Sequence, residues 1–119
     1  MTKGRHLILD LDGCDPLVLD DYGLLTELME NAMYLAGANL LHLIGEKFEP
    51  QGVTLLALLS ESHSSIHTWP ELGYAAIDLY TCGDTTNTQK AADFLIKECK
   101  ATNINKKELI RTSCSTTQD

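Results

Sequence analysis

The stretch from Ser60 to Gly83 constrains the fold more than any other part of this chain. Pro70 and Gly73 punctuate it and β-favouring residues flank them, so it reads as two strands joined by a Trp-Pro-Glu-Leu-Gly turn. A period of two puts Ser65, His67 and Trp69 on one face of the first strand, with Ile66 and Thr68 on the other. On the second strand Tyr74, Ala76, Asp78, Tyr80 and Cys82 share a face. The window also holds more reactive chemistry than packing needs: a cluster of hydroxyls, two histidines, carboxylates, a tryptophan and a cysteine before a glycine.

The rest of the chain supplies partners for this hairpin. Residues 5–11 make a short apolar strand. Asp15 followed by Pro16 is an N-cap with proline at the first helical position. From Leu17 to Ala36, Leu25, Leu28, Met29, Ala32 and Ala36 recur at helical spacing, and Gly37 supplies the left-handed stop. Residues 39–48 and 52–60 read as strands, 88–101 as a second amphipathic helix carrying Ala91, Ala92, Leu95, Ile96 and Cys99, and 104–112 as a last strand. The order β-α-β-β-β-β-α-β predicts an α+β two-layer sandwich, an antiparallel sheet covered on one face by two helices. Residues 1–112 form a single domain on this reading and 113–119 a polar tail.

Charge narrows the partners. A formal net charge of −8 argues against nucleic acid or an anionic membrane, either of which wants a basic face. It suits a cationic small molecule, and equally it suits solubility. No apolar run approaches the ~20 residues of a spanning helix, and Met-Thr-Lys-Gly-Arg-His lacks a signal-peptide core, so a cytoplasmic protein is expected. Cys14, Cys82, Cys99 and Cys114 form no Cys-x-x-Cys pair, so neither a disulfide framework nor a metal site is expected. No Gly-rich phosphate loop accompanies a lysine, which argues against pyridoxal phosphate.

Residues 61–83, Glu-Ser-His-Ser-Ser-Ile-His-Thr-Trp-Pro-Glu-Leu-Gly-Tyr-Ala-Ala-Ile-Asp-Leu-Tyr-Thr-Cys-Gly, resemble the processing and active-site segment of the short prokaryotic S-adenosylmethionine decarboxylases. Those are pyruvoyl enzymes made as a proenzyme that cuts itself. Gly4-Arg5-His6, Gly13-Cys14-Asp15 and Phe48-Glu49-Pro50-Gln51-Gly52-Val53 fit the same pattern, so the likeness spans nearly the whole chain and fades after about residue 100. The resemblance implies self-cleavage between Glu61 and Ser62, with Ser62 as precursor of the pyruvoyl group that holds substrate as a Schiff base. His67 matches the processing base or proton shuttle and Cys82 the proton donor, a thiol being protonated yet labile near neutrality. Phe48 and Trp69 match aromatics that stack on the substrate, and Glu71 matches a carboxylate that holds its polar groups. A homodimer with active sites at the subunit interface is implied as well.

Each of these residues has a plainer reading alone: Ser62 as a loop serine, His67 as a satisfied strand histidine, Cys82 as a small buried hydrophobe. Their joint order and spacing is what the plainer readings leave unexplained. His6, His42 and His63 read as structural or surface residues. The chain also departs from the family. Thr54 stands where a processing serine is usual, and Asp10-Leu11-Asp12 and Glu49 add carboxylates where aromatic, small or apolar residues are common. Two other readings follow from these departures: the same scaffold and cofactor acting on arginine or ornithine, and an uncleaved paralogue that binds an active subunit.

Overall fold

The computed structural model of the chain describes residues 2–82 and 86–112, with backbone alone at 2 and 3. Gly83, Cys114 and the polar tail at 113–119 lie outside the described residues. In chain order the elements are β1 (Thr2–Asp12), α1 (Pro16–Leu19), α2 (Tyr22–Ala36), β2 (Leu40–Lys47), β3 (Val53–Leu59), β4 (His63–Trp69), a 3-10 turn (Pro70–Leu72), β5 (Tyr74–Thr81), α3 (Thr88–Glu98) and β6 (Asn103–Thr112). The six strands form one antiparallel sheet in the order β2-β3-β4-β5-β1-β6. The expected two-layer α+β sandwich is therefore the observed architecture, with helices on one side.

The hairpin of β4 and β5 forms as its punctuation demands. Trp69 pairs with Tyr74, His67 with Ala76, Ser65 with Asp78 and His63 with Tyr80. Gly73, at φ 64°, takes the left-handed conformation that lets the chain reverse after Pro70–Leu72. One face of the sheet carries Leu7, Leu9, Leu11, Val53, Leu55, Ala57, Leu59, Ile66, Ala75, Ile77 and Leu79, all buried beneath α2 and α3. Those helices contribute Leu25, Leu28, Met29, Ala32, Met33, Ala91, Ala92 and Leu95.

The long helix expected from Leu17 to Ala36 is two helices, so three cover the sheet rather than two. Asp15 caps α1 through the Leu17 N–H at 2.9 Å, and Asp21 caps α2 through the Leu24 N–H at 3.0 Å. A second capping aspartate inside the periodic run ends one helix and starts another, because its side chain competes for the backbone. Asp20, between them, accepts from the Gly52 N–H at 2.9 Å and pairs with Lys47 at 3.0 Å. These partners, the Gly52 N–H first, hold its carboxyl below the usual range. The break thus ties the helical layer to the β2–β3 turn. α3 stops at Glu98, with Cys99 as its C-cap, short of the expected Ala101.

Thr68 is the polar pin of the buried face. Its hydroxyl donates to the Leu19 carbonyl at 2.7 Å and accepts from the Val53 N–H at 2.9 Å, with the side chain 6% exposed. Thr68→Val keeps the shape and strands both partners in the core. The expected loss is about 1–3 kcal/mol of unfolding free energy by urea titration, whereas a loss below about 0.5 kcal/mol would show that the pin is dispensable.

Candidate active site

Ser62 lies in the tight loop between β3 and β4. Leu58 pairs with His63, and the loop closes through the Leu59 N–H donating to the Ser62 carbonyl at 3.0 Å. The Glu61–Ser62 peptide is thus held in a turn, with Glu61 exposed and Ser62 half-buried. On one side the Ser60 N–H donates to the Asn39 carbonyl at 3.1 Å, and the Asn39 amide donates to Ser60 Oγ at 2.6 Å. On the other side stands Cys82, the first residue after β5. A cavity of about 210 Å³ is shared by Asn39, Ser60, Glu61, Ser62, Cys82 and Thr86.

Cys82 is half-buried, whereas Cys14 and Cys99 are 5% and 0% exposed. Burial pushes the Cys14 thiol up to about 11, with Asp12 adding to the effect. Burial likewise pushes Cys99 up to about 12, with Cys14 and Glu98 as lesser causes. Among the described cysteines, Cys82 alone is open to a reagent or substrate.

The other expected residues stand elsewhere. His67 is five positions along β4 from Ser62, about 16 Å at the rise of a strand. Its Nδ1 is 3.0 Å from the Thr54 hydroxyl, the two residues being paired across β3 and β4. The threonine therefore puts its oxygen on the histidine. Phe48 and Trp69 are 46% and 40% exposed, so both offer open ring faces. Phe48 and Thr54 line a second cavity of about 270 Å³ with Ile44, Glu46 and Leu56. Trp69 packs on Tyr74 with ring centroids 5.2 Å apart, and Glu71 is exposed on the turn beyond. One chain therefore carries two half-sites, Ser62 with Glu61 and Cys82 at one end of β4, and His67 with Thr54, Phe48 and Trp69 towards the other.

Between them the uncovered face carries polar groups that the sequence left unassigned. His6 Nε2 is 2.9 Å from Asp78 Oδ1, with Ser65 Oγ 3.5 Å from the other carboxylate oxygen. His6 and His63 both lean on the Tyr80 ring, and the Arg111 guanidinium lies 5.3 Å from its centroid. Tyr74 donates to Asp10. Period-2 alternation places Tyr74, Asp78 and Tyr80 together, but the partners across β1 come from a register that local pattern does not set.

The fold matches the crystal structure of the adenosylmethionine decarboxylase from Aquifex aeolicus, with a TM-score of 0.89, 36% identity and coverage of 97% of this chain and 95% of that one. Residues 5–112 match the family model described as S-adenosylmethionine decarboxylase. The S-adenosylmethionine decarboxylase proenzyme of Synechococcus sp. (strain WH7803) is 57% identical over 100 residues, 84% of this chain and 78% of that protein. A proenzyme of the same name from Thermoanaerobacter pseudethanolicus is 42% identical over 108 residues, 91% of this chain and 87% of its own length. The chain belongs to the S-adenosylmethionine decarboxylase family, a family of carboxy-lyases.

The Asp10 contact has a titration consequence. The hydrogen bond to Asp10, then burial, then the charges of Asp10, Asp12 and Asp78 push the Tyr74 phenol up to about 12. A tyrosine raised in the native state stabilises the fold fully below its unfolded value of about 10, and that contribution is lost as pH rises through about 12. Phenolate absorbance, taken as the difference between the chain and its Tyr74→Phe variant, should rise near pH 12. Asp10→Asn should bring that midpoint down; an unmoved midpoint would contradict the contact.

Proposed function

We propose that this chain is a self-processing, pyruvoyl-dependent S-adenosylmethionine decarboxylase that works as a cytoplasmic homodimer and supplies the decarboxylated aminopropyl donor for spermidine synthesis. The observation that carries the reading is the cavity shared by Ser62, Glu61 and Cys82. Its residues fit a pyruvoyl group, because the serine that would become one sits in a tight, half-open turn beside an accessible thiol.

Ser62 Oγ attacks the Glu61 carbonyl, so the peptide C–N bond breaks and an ester C–O bond forms, with the proton passing to the freed amine. A base then takes the Ser62 α-proton, and the Ser62 Cβ–Oγ bond breaks as the Cα=Cβ double bond forms, which releases residues 1–61 with a free carboxylate that keeps the serine oxygen. Water adds to the dehydroalanine left at position 62, and ammonia departs. The His67 imidazole, with the Thr54 hydroxyl on its Nδ1, fits the base of the second step. The pyruvoyl ketone supplies the electron sink that loss of carbon dioxide from an amino acid needs. Cys82 then gives its proton to the product carbon. Phe48 and Trp69 stack on the adenosyl and sulfonium parts of the substrate, and Glu71 binds its polar groups.

A second copy joins the two half-sites. Ile44, Leu56 and Leu58 on the uncovered face are 67%, 47% and 50% exposed, and with His42 and His63 they line a hollow of about 540 Å³. A contiguous apolar face of this kind is an interaction surface. In a two-fold pair, whatever one subunit presents to its partner is presented back. Sheets facing each other in opposite directions bring His67 and Thr54 of each subunit to Ser62 of the other. The size of the single-chain cavity supports this, since about 210 Å³ is below the ~300 Å³ at which ligand pockets begin.

Arginine and ornithine are disfavoured as substrates, and so is an uncleaved binding role, by the names of the relatives and by the retention of Phe48, Trp69 and Glu71. Intact mass spectrometry should show fragments split between Glu61 and Ser62. Carbon dioxide should come from carboxyl-labelled S-adenosylmethionine and not from arginine or ornithine. Ser62→Ala should remain full-length and silent, and Thr54→Ser should cleave faster than the parent chain. A full-length parent after prolonged incubation would remove the reading.

A further inference from the structure

Thr86 stands against the Ser62 cavity and has no role in the reading above. Its hydroxyl oxygen is 2.6 Å from the Cys82 carbonyl and 2.6 Å from Oγ1 of Thr81. A hydroxyl has one proton to give and lone pairs to receive. The carbonyl can only accept, so both bonds exist together when Thr81 donates to Thr86 and Thr86 donates to Cys82. Thr81 is 1% exposed, which makes this relay an anchor in the core.

The anchor matters because the sheet stops holding the chain at this point. β5 ends at Thr81, its last pairing with β1 is Thr81 with Arg5, and its last pairing with β4 is Tyr80 with His63. Cys82 lies one residue beyond the ladder with β1 and two beyond the ladder with β4. We propose that Thr86 is a positioning residue for Cys82, holding its backbone against the buried end of β5 so that the thiol stays at the cavity. The proposal rests on the reading of Cys82 as proton donor, and it assigns this chain a way of setting the donor that the cleavage motif does not contain.

Thr86→Val keeps the side-chain shape and removes the hydroxyl, and Thr86→Ser restores it. The first readout uses the Ser62→Ala chain, which needs no processing: the pH profile of Cys82 alkylation by iodoacetamide, followed by peptide mass. Thr86→Val should raise the rate about fivefold, the scale of one net hydrogen bond, and Thr86→Ser should return it to the parent profile. In the self-cleaving chain Thr86→Val should lower kcat for carbon dioxide release by about the same factor. KM and the extent of cleavage should hold, because Cys82 takes no part in cutting the chain.

An alkylation profile unchanged in Thr86→Val, or equally disturbed in Thr86→Ser, would overturn the proposal. If Cys82→Ala releases carbon dioxide at the parent rate, the donor assignment fails and the proposal with it. If Cys82→Ala is inactive while Thr86→Val is unaltered, the donor stands and Thr86 alone is wrong.

Discussion

A sheet has two faces, and the helices among the described residues cover only one of them. The covered face packs internally, with a leucine-rich surface under α2 and α3 and Thr68 satisfying two backbone groups, the Leu19 carbonyl and the Val53 N–H. The other face keeps Ile44, Leu56 and Leu58 in the open beside a polar row built on Asp78, His6 and Tyr80. A domain of this size has little surplus stability with which to carry such a surface unpartnered. The bare face is the constraint to which the placement of the chemistry answers.

The candidate residues fall into two sets because an extended strand keeps neighbours in sequence apart in space. Ser62 and His67 are five residues apart, which in a helix would place them about one and a half turns from each other but in β4 separates them by about 16 Å. Cys82 reaches Ser62 because β5 returns antiparallel to β4, and Thr54 reaches His67 because β3 does the same on the other side. On the function proposed above, neither set alone serves both cleavage and turnover. In the account proposed here the two-fold pair is part of the catalytic apparatus, since one subunit brings the serine and thiol and the other the histidine and threonine.

The sheet was legible in the chain because its signals are local. Pro70 and Gly73 mark the β4–β5 reversal, the alternation from Ser65 to Trp69 separates the faces, and Gly37 stops α2 in a left-handed turn at φ 77°. The break at Asp20 and Asp21 was hidden, because the apolar stripe runs straight through it and only the side-chain caps show that the helix restarts. The candidate residues were legible as an ordered motif, but their distribution between two ends of the sheet was not. That depends on strand register over long separations, as do the contacts of Tyr74 with Asp10 and of His6 with Asp78. Thr86 carried no signal at all, since a threonine just before a helix cap is ordinary until its hydroxyl is seen on the Cys82 carbonyl.

The central claim, that Ser62 of one subunit is processed by His67 of the other, is tested most directly by complementation. Ser62→Ala and His67→Ala chains, distinguished by a mass tag, are produced separately and together, and cleavage is read by intact mass spectrometry. The account predicts that neither variant cuts itself alone, and that in the mixed dimers the His67→Ala chain is cut between Glu61 and Ser62, because its serine meets the intact histidine of its partner. A mixture in which the His67→Ala chain stays whole, or a His67→Ala chain that cleaves without a partner, would contradict it.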